Sequence, residues 1–223
     1  MANIDYASAS RLTDMPPVTA GNIGLSLLAL PLIALLGQTV VEIGPIGELA
    51  IQWGLVVAVV GIVVSSENQS LAEIGFRRPT WLDLGYTLVT VVAALVVSAG
   101  TDPVVAALGL PVAGDTGVMA AGVGIGVALA GAVTTGIVEE ILFRGYPIER
   151  LLAYTDNPLV AGGLTWGVFT LAHAVVWPIG NLLQIAVVAA VLTVVYLRRR
   201  TLFPVIGAHV LVWAFAVLGQ YYG

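Results

Sequence analysis

Seven apolar runs, each long enough to approach the roughly 30 Å hydrocarbon thickness of a bilayer at about 1.5 Å per helical residue, leave this chain few choices of fold. They fall at 24–41, 49–65, 84–100, 118–138, 159–176, 182–197 and 202–218. A single spanning run can satisfy its backbone hydrogen bonds in lipid only as a helix, so the expectation is an all-α, polytopic membrane bundle of about seven transmembrane helices. A further apolar piece at 104–112 is too short to span and is expected at the interface or as an extension of the third helix. With 59% hydrophobic and 9% charged residues, the 223-residue chain has no room for a soluble catalytic domain. Any activity has to sit among the helices.

Residues 1–21 form a polar segment that contains Pro16 and Pro17 and lacks the basic-then-apolar pattern of a removable signal; it is expected as a cytoplasmic tail. All eight cations are arginines, and with the N-terminus inside they all fall on one side. Arg11 lies in the tail, Arg77 and Arg78 between spans two and three, Arg144 and Arg150 between four and five, and Arg198, Arg199 and Arg200 between six and seven. The opposite loops carry Glu42, Glu48, Asp102 and Asp115 and no arginine. The expected topology is therefore N-terminus inside and C-terminus outside. A net charge of -5 leaves no basic surface for nucleic acid, and the absence of Cys removes thiolate nucleophiles, Cys-ligated zinc and iron–sulfur clusters.

Ionisable groups in or beside spans are costly and mark functional candidates. Glu139 and Glu140 close the fourth run, His173 lies inside the fifth, and His209 lies near the start of the seventh; these are the chain's two histidines. On a helix Glu140 and Arg144 are i,i+4 with the acid N-terminal, the favourable order for pairing, while Glu139 points about 100° away. One carboxylate is neutralised and one is left free. A free carboxylate and two imidazoles suit the activation of water, and the three are expected to converge within about one water of each other. The runs as drawn set them at different depths: Glu139 at the cytoplasmic end, His173 about 21 Å from it and His209 about 10 Å in. Convergence then requires a tilted fourth helix or a fifth that begins outside the hydrocarbon.

Known intramembrane protease chemistries can be sorted against these residues. A zinc protease with His-Glu-x-x-His is excluded, since neither histidine precedes a glutamate. The nearest approach to a Gly-x-Gly-Asp aspartyl site, Val112-Ala113-Gly114-Asp115, lacks the first glycine and sits outside a span. None of Ser26, Ser65, Ser66, Ser70 or Ser98 stands in the Gly-x-Ser-x turn of a Ser–His dyad. A glutamate-led site remains.

Glu139-Glu140-Ile141-Leu142-Phe143-Arg144-Gly145-Tyr146 and Phe169-Thr170-Leu171-Ala172-His173 occur on successive spans. They resemble the first two motifs, Glu-Glu-x-x-x-Arg and Phe-x-x-x-His, of the CAAX-prenyl-protease and bacteriocin-processing (CPBP, or Abi) family. Its third motif is His followed four residues later by Asn or Asp; here His209 is followed by Trp213. The resemblance implies accessory helices over 22–116 and a catalytic core over 117–223. The implied activity is that of an intramembrane endopeptidase acting on a membrane-anchored peptide or protein in the plasma (cell) membrane, its active site toward the cytoplasm. By the same resemblance Glu139 is the base on the hydrolytic water, His173 helps bind that water and His209 stabilises the oxyanion. Glu140, Arg144, Phe169 and Trp213 support them. Glu139, His173 and His209 would suit either a site without metal or a three-ligand Zn2+ site with an open position, and the sequence leaves both open. Trp213 also motivates an alternative, a non-catalytic immunity or chaperone protein on the same scaffold.

Overall fold

The computed structural model describes residues 12–39, 43–114 and 122–222. Among them there is no strand, and eight α-helices run as α1 (Pro17–Thr39), α2 (Pro45–Ser65), α3 (Trp81–Ala107), α4 (Ile125–Glu140), α5 (Tyr146–Thr155), α6 (Pro158–Ala172), α7 (Ile179–Arg199) and α8 (Phe203–Tyr222). A single π-helical turn, Ile141–Gly145, joins α4 to α5, so the two form one element of 31 residues. Seven elements are then long and apolar enough to cross a membrane, and the protein is an integral membrane protein. Prolines stand at the first helical position of α1 and α2, where the missing N–H costs nothing. The first helix therefore begins at 17, inside the expected tail. The piece at 104–112 extends α3 to Ala107, as expected.

The fourth span differs from expectation in a way that matters for the site. The helix does not stop at 138; it continues through Glu139 and Glu140 to Thr155, which places the two acids in its middle rather than at its end. Pro147 explains the widened turn. It has no N–H, and in an α-helix its ring would press on the carbonyl four residues back. The Tyr146 N–H accordingly bonds to Ile141 O, one residue further back than in an α-helix. Leu142 O loses both backbone donors, and the Ser26 hydroxyl of α1 donates to it instead at 2.5 Å.

The ends of the helices sort into two poles. At one, Arg199 pairs with Asp83 at 2.6 Å, Arg200 pairs with Glu149, and Leu202 N–H bonds to Gly75 O at 2.9 Å. This pole carries Arg77, Arg78, Arg150, Arg198, Arg199 and Arg200. At the other, Gly180 N–H bonds to Pro111 O at 2.9 Å and Gln184 donates to Asp102 at 2.6 Å. Among the described residues no arginine lies there. The expected tail residue Arg11, the acids Glu42 and Asp115, and the expected onset of the fourth span at 118 lie outside the described residues.

The arginine pole is packed shut. A Cβ on Gly145 would fall 2.7 Å from Ile74 O and 3.0 Å from the Leu202 side chain, and one on Gly75, at φ +94°, 2.8 Å from the Tyr196 hydroxyl. Ile74, Tyr196, Leu202 and Val205 form this layer and are all buried.

Candidate active site

The continuation of the fourth span past Glu140 levels Glu139 with His173. Glu139 is 16 residues from Thr155 and His173 is 15 from Pro158, both about 23 Å from the arginine-pole ends of their helices. His173 caps α6 at the point where the chain turns back, through a 3-10 turn His173–Val175, into α7. His209 rises into the same layer on α8, and Gly136 lets α4 approach α8 closely: a Cβ there would meet Val210 N at 2.9 Å.

Glu140 and Arg144 are fully buried, with Nη1 donating to Oε1 at 2.9 Å, as the i,i+4 spacing implied. The guanidinium also stacks 4.0 Å from the centre of the Phe169 ring, which packs edge-on against Phe143 and 4.4 Å from the His173 ring. Phe169 thus fixes both a cation and an imidazole. The remaining atoms of this pair, Glu140 Oε2 and Arg144 Nη2, are buried without a protein partner.

Hydrogen bonding sets the tautomer of each histidine. His173 Nδ1 lies 2.8 Å from Phe169 O, an acceptor only, so Nδ1 carries the proton and Nε2 presents a lone pair. His209 Nδ1 lies 2.8 Å from Glu140 Oε1, and its Nε2 accepts from the Trp213 indole N–H at 3.1 Å. Both nitrogens of His209 are therefore occupied. The Glu139 carboxylate, 15% exposed, places Oε1 3.9 Å from His173 Nε2 and Oε2 3.8 Å from His209 Nε2. These separations exceed a direct hydrogen bond and suit one bridging oxygen.

The expected triad of Glu139, His173 and His209 is thus brought together, with Glu140, Arg144, Phe169 and Trp213 around it. The adjoining cavity, about 310 Å³, is lined by both histidines and Trp213 but not by Glu139, and its walls are mainly apolar. It also extends along α7 past Gln184 and Asn181 to Trp177, away from the arginine pole. These three residues escaped the sequence reading; two amides in an otherwise apolar span were the available signal.

A Zn2+ site does not fit this arrangement. Among the described residues no group of three or more His, Asp or Glu could hold a metal ion, and the Trp213 N–H already takes the His209 Nε2 lone pair that a metal would need.

Fold and site together define an integral membrane protein with a carboxylate set between two imidazoles inside the bilayer-spanning bundle. The family model described as type II CAAX prenyl endopeptidase Rce1-like matches residues 121–215, the stretch that carries every residue of the site and both CAAX-protease-like motifs. The family is one of proteases. No curated protein and no solved structure matches the chain.

Proposed function

We propose that the protein is an intramembrane endopeptidase of the plasma membrane that hydrolyses a peptide bond of a membrane-associated substrate. The observation that carries this reading is the Glu139 carboxylate, free of any partner within hydrogen-bond range and flanked at 3.8 and 3.9 Å by two imidazole nitrogens. A water held there donates one proton to Glu139 and the other to the His173 Nε2 lone pair, which orients its oxygen for attack. As the oxygen adds to the scissile carbonyl carbon, Glu139 takes the first proton; it then delivers that proton to the leaving nitrogen as the C–N bond breaks. Water is consumed, and a carboxylic acid and an amine are released.

The oxyanion needs a donor, and neutral His209 has none to spare, because its one N–H is committed to Glu140. The donor in reach is the Trp213 indole N–H, which here rests on His209 Nε2. In this mechanism it turns to the developing oxyanion. That resting contact equally favours a second reading, in which Trp213 locks His209 and the scaffold serves as a non-catalytic membrane immunity or chaperone protein. The deciding experiment uses purified protein in lipid vesicles with quenched fluorogenic peptides carrying a lipid anchor. Cleavage that falls about 10²–10⁴-fold in Glu139→Gln supports hydrolysis. The absence of any Glu139-dependent cleavage overturns it in favour of the scaffold.

A further inference from the structure

The turn that carries the site is held partly from outside it. Helix α1 precedes residues 121–215, and three of its polar residues are buried: Thr19, Asn22 and Ser26, spaced i, i+3 and i+7 along one face. Asn22 donates to Val59 O of α2 at 3.2 Å, whereas the Ser26 hydroxyl reaches Leu142 O in the π turn at 2.5 Å. A buried hydroxyl in a spanning helix is commonly answered by a carbonyl of its own preceding turn; Ser26 crosses to another helix instead. The carbonyl it meets has no other donor within the turn. Its α-helical partner, the Tyr146 N–H, is given to Ile141 O, and the next position is Pro147. Relaxing the turn to an α-helix would return the Tyr146 N–H to Leu142 O but would press the Pro147 ring on Phe143 O. Leu142 and Ser26 are both fully buried, so bulk water does not stand in for the hydroxyl.

Leu142 stands two residues from Glu140 and two from Arg144. Each of these neighbours orients one imidazole: Glu140 Oε1 holds His209 Nδ1 at 2.8 Å, and Arg144 stacks on Phe169, which packs 4.4 Å from the His173 ring. We propose that Ser26 is a positioning residue for hydrolysis, its hydroxyl pinning Leu142 O so that the widened turn keeps Glu140 against His209 and Arg144 against Phe169. A buried carbonyl that loses its donor is costly, and the turn recovers a partner only by rotating that peptide group, which carries both neighbours with it. The two imidazole nitrogens then leave the positions, 3.9 and 3.8 Å from Glu139, that suit one bridging water. Ser26 itself touches neither the substrate nor the reacting atoms. Its effect on rate rests on the endopeptidase reading; its effect on the two rings does not. The hydrolytic unit then includes α1, not residues 121–215 alone.

Ser26→Thr and Ser26→Val introduce side chains of the same shape that differ in the hydroxyl, so comparing them separates hydrogen bonding from packing. With lipid-anchored fluorogenic peptides in vesicles, Ser26→Val is expected to lower kcat about 10–100-fold with KM within about twofold, as a displacement of about 1 Å at a reacting centre does. Ser26→Thr, which keeps the donor, is expected to stay within about threefold of the parent. Because the chain has two histidines, nitrogen-15 labelling of histidine gives two rings by magnetic resonance, and His173→Gln assigns them. The His209 ring nitrogens are expected to move from their parent positions in Ser26→Val and to keep them in Ser26→Thr. Equal kcat in the two variants, or a Ser26→Val defect confined to KM, overturns the proposal. A parent without Glu139-dependent cleavage sinks the endopeptidase reading instead, and the rings alone then decide. His209 resonances that coincide in Ser26→Val and Ser26→Thr overturn the positioning role, and a shift in Ser26→Val alone sustains it. Should Ser26→Val not fold, Ser26→Ala removes the hydroxyl without added bulk and carries the same expectations.

Discussion

Replacing Arg144 by Met tests the centre of the structure most severely. The guanidinium and the Glu140 carboxylate are both fully buried and 2.9 Å apart, and Arg144 also stacks on Phe169 at 4.0 Å. Without Arg144, Glu140 keeps one donor, His209 Nδ1, against two before. Removing one partner of a buried ion pair costs about 3–5 kcal/mol, chiefly because the surviving charge stays in a medium that solvates it poorly. Loss of the cation–π contact adds to this by about 0.5–2 kcal/mol. Set against a total stability of about 5–15 kcal/mol, this is roughly a quarter of the whole or more. The double variant Glu140→Gln/Arg144→Met carries no stranded charge and should recover at least about 1–2 kcal/mol of the loss. Arg144→Lys keeps the charge but not the planar stack on Phe169, and should fall between. Reversible unfolding in mixed micelles with increasing dodecyl sulfate, followed by tryptophan fluorescence, measures all three. An Arg144→Met variant within about 1 kcal/mol of the parent, or a double variant as unstable as the sum of the singles, refutes a structural ion pair at this site.

Glu139→Gln should leave stability within about 1 kcal/mol while hydrolysis collapses, since the ring nitrogens beside this carboxylate lie beyond hydrogen-bond range; a large loss of stability in the same unfolding assay would make Glu139 structural. Trp213→Phe keeps the ring and removes the N–H, and should lower the rate by about 10²–10³-fold if the indole is the oxyanion donor. Trp213→Asn, which supplies an amide, should exceed the parent rate, and a faster Trp213→Phe enzyme would identify the indole as a lock instead. Gly145→Ala puts a Cβ 2.7 Å from Ile74 O and should destabilise by about 1–3 kcal/mol; a neutral result would mean the arginine pole is less tightly closed. Outside the spans, the Ser70 backbone N–H holds the Glu73 carboxyl below its ordinary range, against a smaller opposing effect of burial. The stabilisation of the Leu71–Ile74 turn is therefore present above the unfolded carboxyl value and is lost as pH falls through the lower folded value, and a Ser70 amide resonance that titrates at or above the ordinary range would contradict it.

How legible the molecule was differed from element to element. The seven spans follow from hydropathy because lipid forbids almost every alternative, and the Glu140–Arg144 pair follows from helical spacing alone. The fourth span was misread for an equally physical reason. Two adjacent acids end an apolar run just as an interface would, and their acceptability in the middle of the helix depends on Arg144 beside them and on His209, 69 residues away. The π turn had a local sign in Pro147, but the hydroxyl that completes it comes from Ser26, 116 residues distant.

Donor arithmetic makes Trp213 the position on which activity turns. His209 has two ring nitrogens, one giving its proton to Glu140 and the other receiving from position 213. An asparagine amide, one of the two residues the family motif allows there, has two N–H groups, so it can hold Nε2 with one and present the other to an oxyanion. An indole has one. In this chain the same proton must either keep His209 in register or stabilise the transition state, and moving it to the oxyanion leaves Nε2 facing Glu139 with its lone pair unpaired. If the chain is a peptidase, then, substrate binding must bring a replacement donor to Nε2, and a backbone N–H of the peptide being cleaved is the group that arrives with it.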